Sequence, residues 1–213
     1  MRFVLLPVTV LCLGFSADAG ANQRKKASMS IESAKKQVAE RLDLYRKTSA
    51  VEELRGAGNA IEQIEVHTVP DFTGRQAARQ EKLALWLTLL DTIDSAKDPK
   101  FNPEDVPAAR VTVPDTPMKP GVPVRTPEGI ADPEVRRKYD QAVAANAEKT
   151  NRYRIQKELR QIDKELTSRA ERYIASAYLR SQRSVKEMDE AIAQSVHHPD
   201  RASSLRALVK PAE

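Results

Sequence analysis

An uninterrupted stretch near the C-terminus does most to limit what this chain can fold into. Between Pro133 and Pro199 the sequence contains neither proline nor glycine. Apolar or small residues recur there at spacings of three and four, the periodicity of an amphipathic helix. Asp132 can cap the helix, Pro133 suits its first position, and Glu134 suits the positive end of the helix dipole. The sequence therefore predicts long helices in this part of the chain.

The position of a turn within this stretch is set by one local pattern. Ser168 and Glu171 have the spacing of a capping box, which starts a new helix. We therefore predict a helical hairpin over residues 133–196 with a break near Thr167. The alternative is a single helix of about 60 residues, about 90 Å long at 1.5 Å per residue. Residues 197–213 are predicted to form a tail with a short helix capped by Asp200.

Residues 30–97 are predicted to form a helical core segment. Ser30 can cap an amphipathic helix that runs to about Thr48. A second helix is expected from Arg75 to Ser95. Between residues 83 and 90 it is apolar on nearly every side, which is typical of a buried helix. Trp86 is expected to be its main packing residue.

Two glycines separate these helices. A short turn is predicted to restart at Ser49, and residues 55–58, which read Arg-Gly-Ala-Gly, are predicted to be the loop that ends it. The residues that follow are ambiguous between helix and strand, and we favour a short helix that ends before Pro70.

Residues 98–132 form a proline-rich extended segment, with nine of the 13 prolines lying between Pro99 and Pro133. Four of them recur at an interval of three: Pro114, Pro117, Pro120 and Pro123. A polyproline II helix has three residues per turn, so these four would share an edge, and residues 113–124 would extend about 35 Å.

Three uses of the proline-rich segment are open: a spacer, a strap against the protein's own helices, or a ligand for an aromatic groove of a partner. A free tether has no need of a constant interval, whereas a docked segment must present the same face at each turn. We therefore predict an ordered strap, lying between the Trp86 helix and the hairpin.

Residues 1–19 have the layout of a secretory signal peptide. Arg2 precedes an apolar run over residues 3–15, and Ala17-Asp18-Ala19 is a small-residue cleavage site. We predict cleavage after Ala19 and export to the periplasm or the outside of a bacterial cell. The run is short of the roughly 20 residues that span a bilayer, so no transmembrane span is expected after cleavage. An uncut anchor and a lipid-modified Cys12 are the alternatives.

Composition agrees with an exported all-α protein. Cys12 is the only cysteine, so the mature chain has no disulfide and must rely on packing. Seven glycines and 5% aromatic residues do not suit a sandwich or barrel. Residues 20–29 are expected to be a disordered mature N-terminus. The fold class predicted is all-α: a small helical core, the proline-rich extended segment and the long C-terminal hairpin.

The net charge of +5 is spread unevenly, because residues 20–58 and 133–196 each carry +4. A basic helix face can meet an anionic surface, although a solvated face of mixed charge is the plainer explanation. Nucleic acid is not an expected partner, because export separates the protein from it and no aromatic-interleaved basic pattern occurs.

The sequence offers no catalytic, cofactor or metal site. His197 and His198 are adjacent and would point apart on a helix, and His67 stands alone. Glu62 and Glu65 could share a helix face, but paired carboxylates on a short surface helix are usually solvated.

We therefore expect a non-enzymatic interaction or structural protein of the envelope or secretome that contacts a protein partner through amphipathic helix faces. The candidate partner-binding residues are Pro114, Pro117, Pro120, Pro123, Tyr153 and Tyr173. Peripheral binding to an anionic surface, either lipid head groups or a wall polymer, is the second hypothesis. An enzyme of unrecognised type is the third.

Overall fold

The computed structural model describes residues 29–122, 125–178 and 182–209, without the side chains of residues 178 and 182–184. The predicted signal peptide and residues 20–28 lie outside these ranges. The all-α class is confirmed: the described ranges contain helices and two isolated bridges but no strand. The helices are α1 (Ile31–Thr48), α2 (Glu52–Glu62), α3 (Phe72–Ala96), α4 (Pro133–Tyr178), α5 (Gln182–Ser195) and α6 (Pro199–Ala207).

Helix α3 lies at the centre of the bundle. It contacts α1, α2, α4 and α5, and most residues of its apolar stretch are buried, as the sequence predicts, although Ala84 and Thr88 are exposed. Trp86 is 1% exposed and belongs to one continuous core with residues of the neighbouring helices, which confirms its predicted place. The helix begins at Phe72, earlier than expected, because the Asp71 carboxylate accepts a hydrogen bond from the Gly74 amide and caps it.

Helix α1 has the predicted bounds and the predicted cap. The hydroxyl of Ser30 accepts from the Ser33 amide at 3.2 Å. Ser49 has a different role from the one expected, since it ends α1 in the left-handed conformation (φ 56°) and its amide donates to the Tyr45 carbonyl. The residue therefore closes one helix rather than opening the next.

The prediction of a loop at residues 55–58 is wrong, because α2 continues through both glycines. A Cβ at Gly58 would lie 2.5 Å from Cδ2 of Leu166 in α4. A Cβ at Gly56 would lie 2.5 Å from Nη1 of Arg41 in α1. Gly58 allows α2 to approach α4 closely, which offsets its helix-propensity cost of about 1 kcal/mol, whereas the Arg41 side chain near Gly56 is flexible and can move.

The predicted break near Thr167 is also wrong. Helix α4 is one helix of 46 residues, about 69 Å long, in which Ser168 and Glu171 are interior positions. Leu166 and Ala170, on either side of the predicted break, are both fully buried in the core. A helix end there would remove one of them from the core, and this packing outweighs a local capping pattern.

The single helix of 60 residues is excluded too, because α4 ends at Tyr178 and α5 begins at Gln182. Helix α5 lies against α3 and α4. Arg201, which follows α5 in the chain, reaches back to Asp163 of α4. The C-terminal helices therefore return along the core end of α4.

The first half of α4 stands outside this core. Every buried residue of α4 lies at Gln156 or beyond, and none of residues 133–155, which we call the arm, is buried. The arm is about 34 Å long at 1.5 Å per residue. No helix in the described ranges combines the length and the hydropathy needed to cross a bilayer.

Candidate functional site

The proline-rich segment, residues 98–132, is a strap that is fixed to α4 where the arm meets the core. The Asp98 amide donates to Oε1 of Gln156 at 2.8 Å. Nη2 of Arg160 donates to the Asp98 carbonyl at 2.8 Å, and its guanidinium lies 4.3 Å from the centre of the Phe101 ring. Gln156 and Arg160 thus hold the start of the strap by both its main chain and an aromatic side chain.

Further contacts follow the arm back towards its N-terminus. The Tyr153 hydroxyl donates to the Pro103 carbonyl at 2.8 Å, and its ring centre lies 5.3 Å from that of Phe101. Nδ2 of Asn146 donates to the Ala108 carbonyl at 2.9 Å. The strap therefore runs antiparallel to the arm. Its expected place between the Trp86 helix and the hairpin is wrong, because these contacts all fall on the arm and its junction with the core.

A tight turn interrupts the proline repeat. The Val122 amide donates to the Lys119 carbonyl at 3.4 Å, and Gly121 between them has φ +85°. Proline followed by glycine at the two central positions is the pattern of a type II turn. The straight 35 Å polyproline helix predicted for residues 113–124 is therefore wrong.

After this turn the strap pairs with itself. The Lys119 amide donates to the Gly129 carbonyl at 2.7 Å, and Met118 and Ile130 form an antiparallel bridge. Pro114 is half-buried, while Pro117 and Pro120 are exposed. Pro123 lies outside the described residues. The described prolines therefore do not share one straight edge.

A groove of about 760 Å³ lies between the strap and the arm and is open to solvent. It is lined by Ala109, Arg110, Val111, Val113, Arg125, Pro127, Tyr139, Val143, Asn146, Ala147, Thr150, Asn151 and Arg154. Three of these residues are arginines and none is acidic. Val143 is 40% exposed, so the groove combines accessible apolar surface with a basic rim.

The three arginines differ in how they are engaged. Arg125 pairs with Asp115, and Nη1 of Arg154 donates to Oε1 of Glu158 at 3.1 Å. Both carboxylates are solvent-accessible, so these pairs are weak. Arg110 is exposed and has no hydrogen bond or ion pair to any described residue. The groove therefore presents at least one cation with no counter-ion among the described residues.

The two candidate tyrosines are not brought together. Tyr153 is used inside the protein, against Phe101 and Pro103 of the strap. The Tyr173 hydroxyl donates to the Arg79 carbonyl at 2.9 Å, and Nζ of Lys82 lies 5.2 Å from the centre of its ring. They lie about 30 Å apart along α4 and serve different contacts, one of the strap and one of the bundle.

Charged side chains elsewhere serve packing between helices. Nζ of Lys82, which is nearly buried, donates to the Ile64 carbonyl at 2.8 Å and so ties α3 to the end of α2. Burial lowers the pKa of this lysine, with the nearby carboxylates of Glu62 and Glu65 acting against the shift. Glu62 also lies 3.6 Å from Arg169, whereas exposed His67 lies 3.8 Å from Glu65, so Glu62 and His67 face different partners.

A second set of charges, the ionic cluster, joins α3, α4 and α6. It comprises Asp94, Lys97, Asp163 and Arg201. Nη2 of Arg201 lies 2.6 Å from Oδ1 of Asp94 and 2.5 Å from Oδ1 of Asp163. Two acids face two bases, so the cluster is neutral, although Oδ2 of Asp94 is buried without a hydrogen-bond partner among the described residues.

Fold and site together define an all-α bundle with one projecting helix half and a proline-rich strap laid along it. No family model, curated protein or solved structure matches this chain.

The attachment of the strap can be tested by limited proteolysis. Tyr153→Ala removes both the hydrogen bond to Pro103 and the ring contact with Phe101, and we expect trypsin to cut after Arg110 and Arg125 about tenfold faster than in the wild type. Tyr153→Phe keeps the ring and should give only a two- to fivefold increase, about the effect of one hydrogen bond. Equal cleavage rates in all three proteins would show that Tyr153 does not hold the strap.

Proposed function

We propose that this protein is an exported, non-enzymatic interaction protein that binds a protein partner through the arm and the strap. The observation that carries this proposal is the arm itself. It is half of a long helix in which no residue is buried; Ile155, at its core end, is half-buried against the core, and the strap lies along the arm. An isolated helix of this length is marginally stable in water, so the contacts with the strap help to hold the arm in place. A rigid, accessible helix face is a common means of recognising another protein.

Export is proposed from residues 1–19, whose charge, apolar run and cleavage site have the layout of a signal peptide. The mature chain would then be free of cysteine. Stability would then depend on the apolar core and on buried polar contacts such as the ionic cluster. Unlike disulfides, these contacts do not require an oxidising environment.

A non-enzymatic role is supported by how the buried charges are used. Asp94, Asp163 and Arg201 pair with one another, and Lys82 caps the end of α2. These groups join helices through ion pairs and hydrogen bonds. The groove between the strap and the arm instead offers apolar surface and arginines, which suits binding.

Binding to an anionic surface is the second candidate function. It is favoured by the basic rim of the groove and by the net charge of +3 on residues 133–155. However, the most exposed large apolar side chains, Leu44, Phe72, Val106 and Val143, come from four different elements. No single helix therefore offers the apolar stripe that inserts into a membrane interface.

Site-specific photo-crosslinking tests the proposed function. A photoreactive residue placed at Val143, in the groove, is expected to give one defined protein adduct when the full chain is expressed in its native host. The same residue placed at Lys36, exposed on α1 far along the chain from the arm, is the matched control and should not give that adduct. Adducts of the same proteins from both positions, or none from Val143, would contradict binding through this surface.

The same preparation tests export. The adduct-free protein is expected to have the mass of a chain that begins at Gly20, because cleavage after Ala19 removes the signal peptide. A mass that retains residues 1–19 would contradict this part of the proposal.

A further inference from the structure

We propose that the groove between strap and arm binds an acidic segment of a partner protein, in which carboxylate side chains alternate with apolar ones. This inference rests on the proposed function and adds the chemistry of the partner. It starts from the lining of the groove, where three arginines meet apolar side chains without a carboxylate.

The charge of the groove favours an acidic guest. Arg110 has no internal partner among the described residues, and the guanidinium fork suits bidentate pairing with a carboxylate. The internal partner of Arg125, Asp115, is 89% exposed, so a carboxylate from another protein can replace it at little cost. The arm carries a further excess of positive charge, which would steer such a partner towards the groove.

The shape of the groove favours a peptide over a compact ligand. Its helical wall runs from Tyr139 to Arg154, about 22 Å at 1.5 Å per residue. An extended chain of about seven residues covers this length. The opposite wall includes residues 110–113, whose main-chain groups make no hydrogen bond within the described ranges. These groups can pair with the main chain of a guest, as in recognition by strand addition.

A flat membrane fits the groove less well than a peptide does. The apolar lining is recessed between the strap and the arm, and a membrane would meet the rims first. We therefore assign the surface to a protein segment, and treat anionic vesicles as an outcome of the test.

The test uses the full mature chain and a fluorescein-labelled peptide of about seven residues with alternating glutamate and leucine. The control peptide has glutamine in place of each glutamate. By fluorescence anisotropy we expect the acidic peptide to bind about tenfold more tightly or better, and to weaken as salt is raised. Equal binding of the two peptides, or binding of neither, would overturn the inference.

Two variants locate the binding. Arg110→Glu is expected to weaken acidic-peptide binding about tenfold or more, because it replaces the unpaired cation of the groove with a like charge. Arg137→Glu makes the same charge change at an exposed position of the arm outside the groove lining, and should change the affinity less than about twofold. Equal losses in both variants would show non-specific attraction. Circular dichroism would verify that both variants fold.

Two further outcomes separate this inference from the function on which it rests. A defined adduct from Val143 together with no binding of the acidic peptide would refute the acidic partner and leave the interaction role standing. Binding to phosphatidylglycerol vesicles that depends on Arg110, with no binding of the peptide, would refute both proposals in favour of an anionic surface.

Discussion

Replacing Trp86 with alanine is expected to lower the free energy of unfolding by about 3–5 kcal/mol, the range for a large aromatic truncated in a core. Trp86 is almost fully buried on α3, which contacts α1, α2, α4 and α5. The cavity left by its loss would therefore be lined by several helices, none of which can move in to fill it without leaving its own contacts. Urea denaturation followed by circular dichroism measures the change.

Phe72 provides a matched control for Trp86, because it is a large aromatic on the same helix but is 58% exposed. Phe72→Ala is expected to cost less than about 1 kcal/mol. A loss for Trp86→Ala no larger than that for Phe72→Ala would show that the core is not centred on α3.

A third variant separates the volume of Trp86 from its polarity. The indole Nε1 has no hydrogen-bond partner among the described residues. Trp86→Phe removes this buried, unpaired donor together with part of the ring, and the two effects oppose each other. We expect Trp86→Phe to cost less than about 2 kcal/mol, clearly below the alanine variant.

Arg201→Met is expected to lower the free energy of unfolding at neutral pH by about 3 kcal/mol, as when one partner of a buried ion pair is removed. The guanidinium bonds to Asp94 and Asp163 and also donates to the Thr167 hydroxyl at 3.1 Å. Methionine fills much of the volume but leaves two carboxylates facing Lys97 alone. Arg46→Met is the control, because its pair with Asp43 is exposed and should contribute less than about 1 kcal/mol.

The ionic cluster also gives the protein a defined response to acid. Burial by itself would raise the pKa of Asp163, but hydrogen bonds from Lys97 and Arg201 outweigh it and hold the pKa below its ordinary value of 3.8. A lowered pKa means stability that is fully present above about pH 4 and is lost as the pH falls through the pKa of the folded state. In Arg201→Met this acid loss should be smaller. If the free energy of unfolding of Arg201→Met fell with acid pH as much as that of the wild type, Arg201 would not set the pKa of Asp163.

Hydrophobic periodicity correctly predicted the helices whose apolar residues follow a clear pattern in the local sequence. Helix α1 has one apolar stripe, and α3 is apolar on nearly every side between residues 83 and 90. Both helices lie where these patterns predict them, although α3 begins at Phe72 rather than at Arg75. The errors arose where a distant contact decides local structure. Gly58 was interpreted as a helix breaker because Leu166, the side chain that requires a small residue there, lies in a distant part of the sequence. Thr167 was interpreted as a break because a capping pattern does not reveal that its neighbours pack in the core.

The groove was predicted only in part. The proline interval predicts a docked strap. In the structure, however, Pro120 and Gly121 form a tight turn and do not continue a polyproline helix. A Lys-Pro-Gly-Val sequence is itself a type II turn pattern. The four residues that fix the strap recur at spacings of seven, three and four along α4, but they are polar or aromatic, so a search for apolar periodicity does not find them. Arg110 could not be singled out, because nothing in the neighbouring sequence shows that it has no ion pair with the residues that the structure describes.

The central place of α3 limits when the core can form as the chain emerges from the ribosome. Helices α1 and α2 precede α3, but its other sides are covered by α4 and α5, and Arg201 pairs with Asp94 across 107 positions. A nascent chain that ends before Gln182 must keep part of the α3 surface bare, since the helix that covers it has not been translated. The core thus closes only after α5 has been translated, and until then the apolar surface of α3 is open to chaperones and to aggregation.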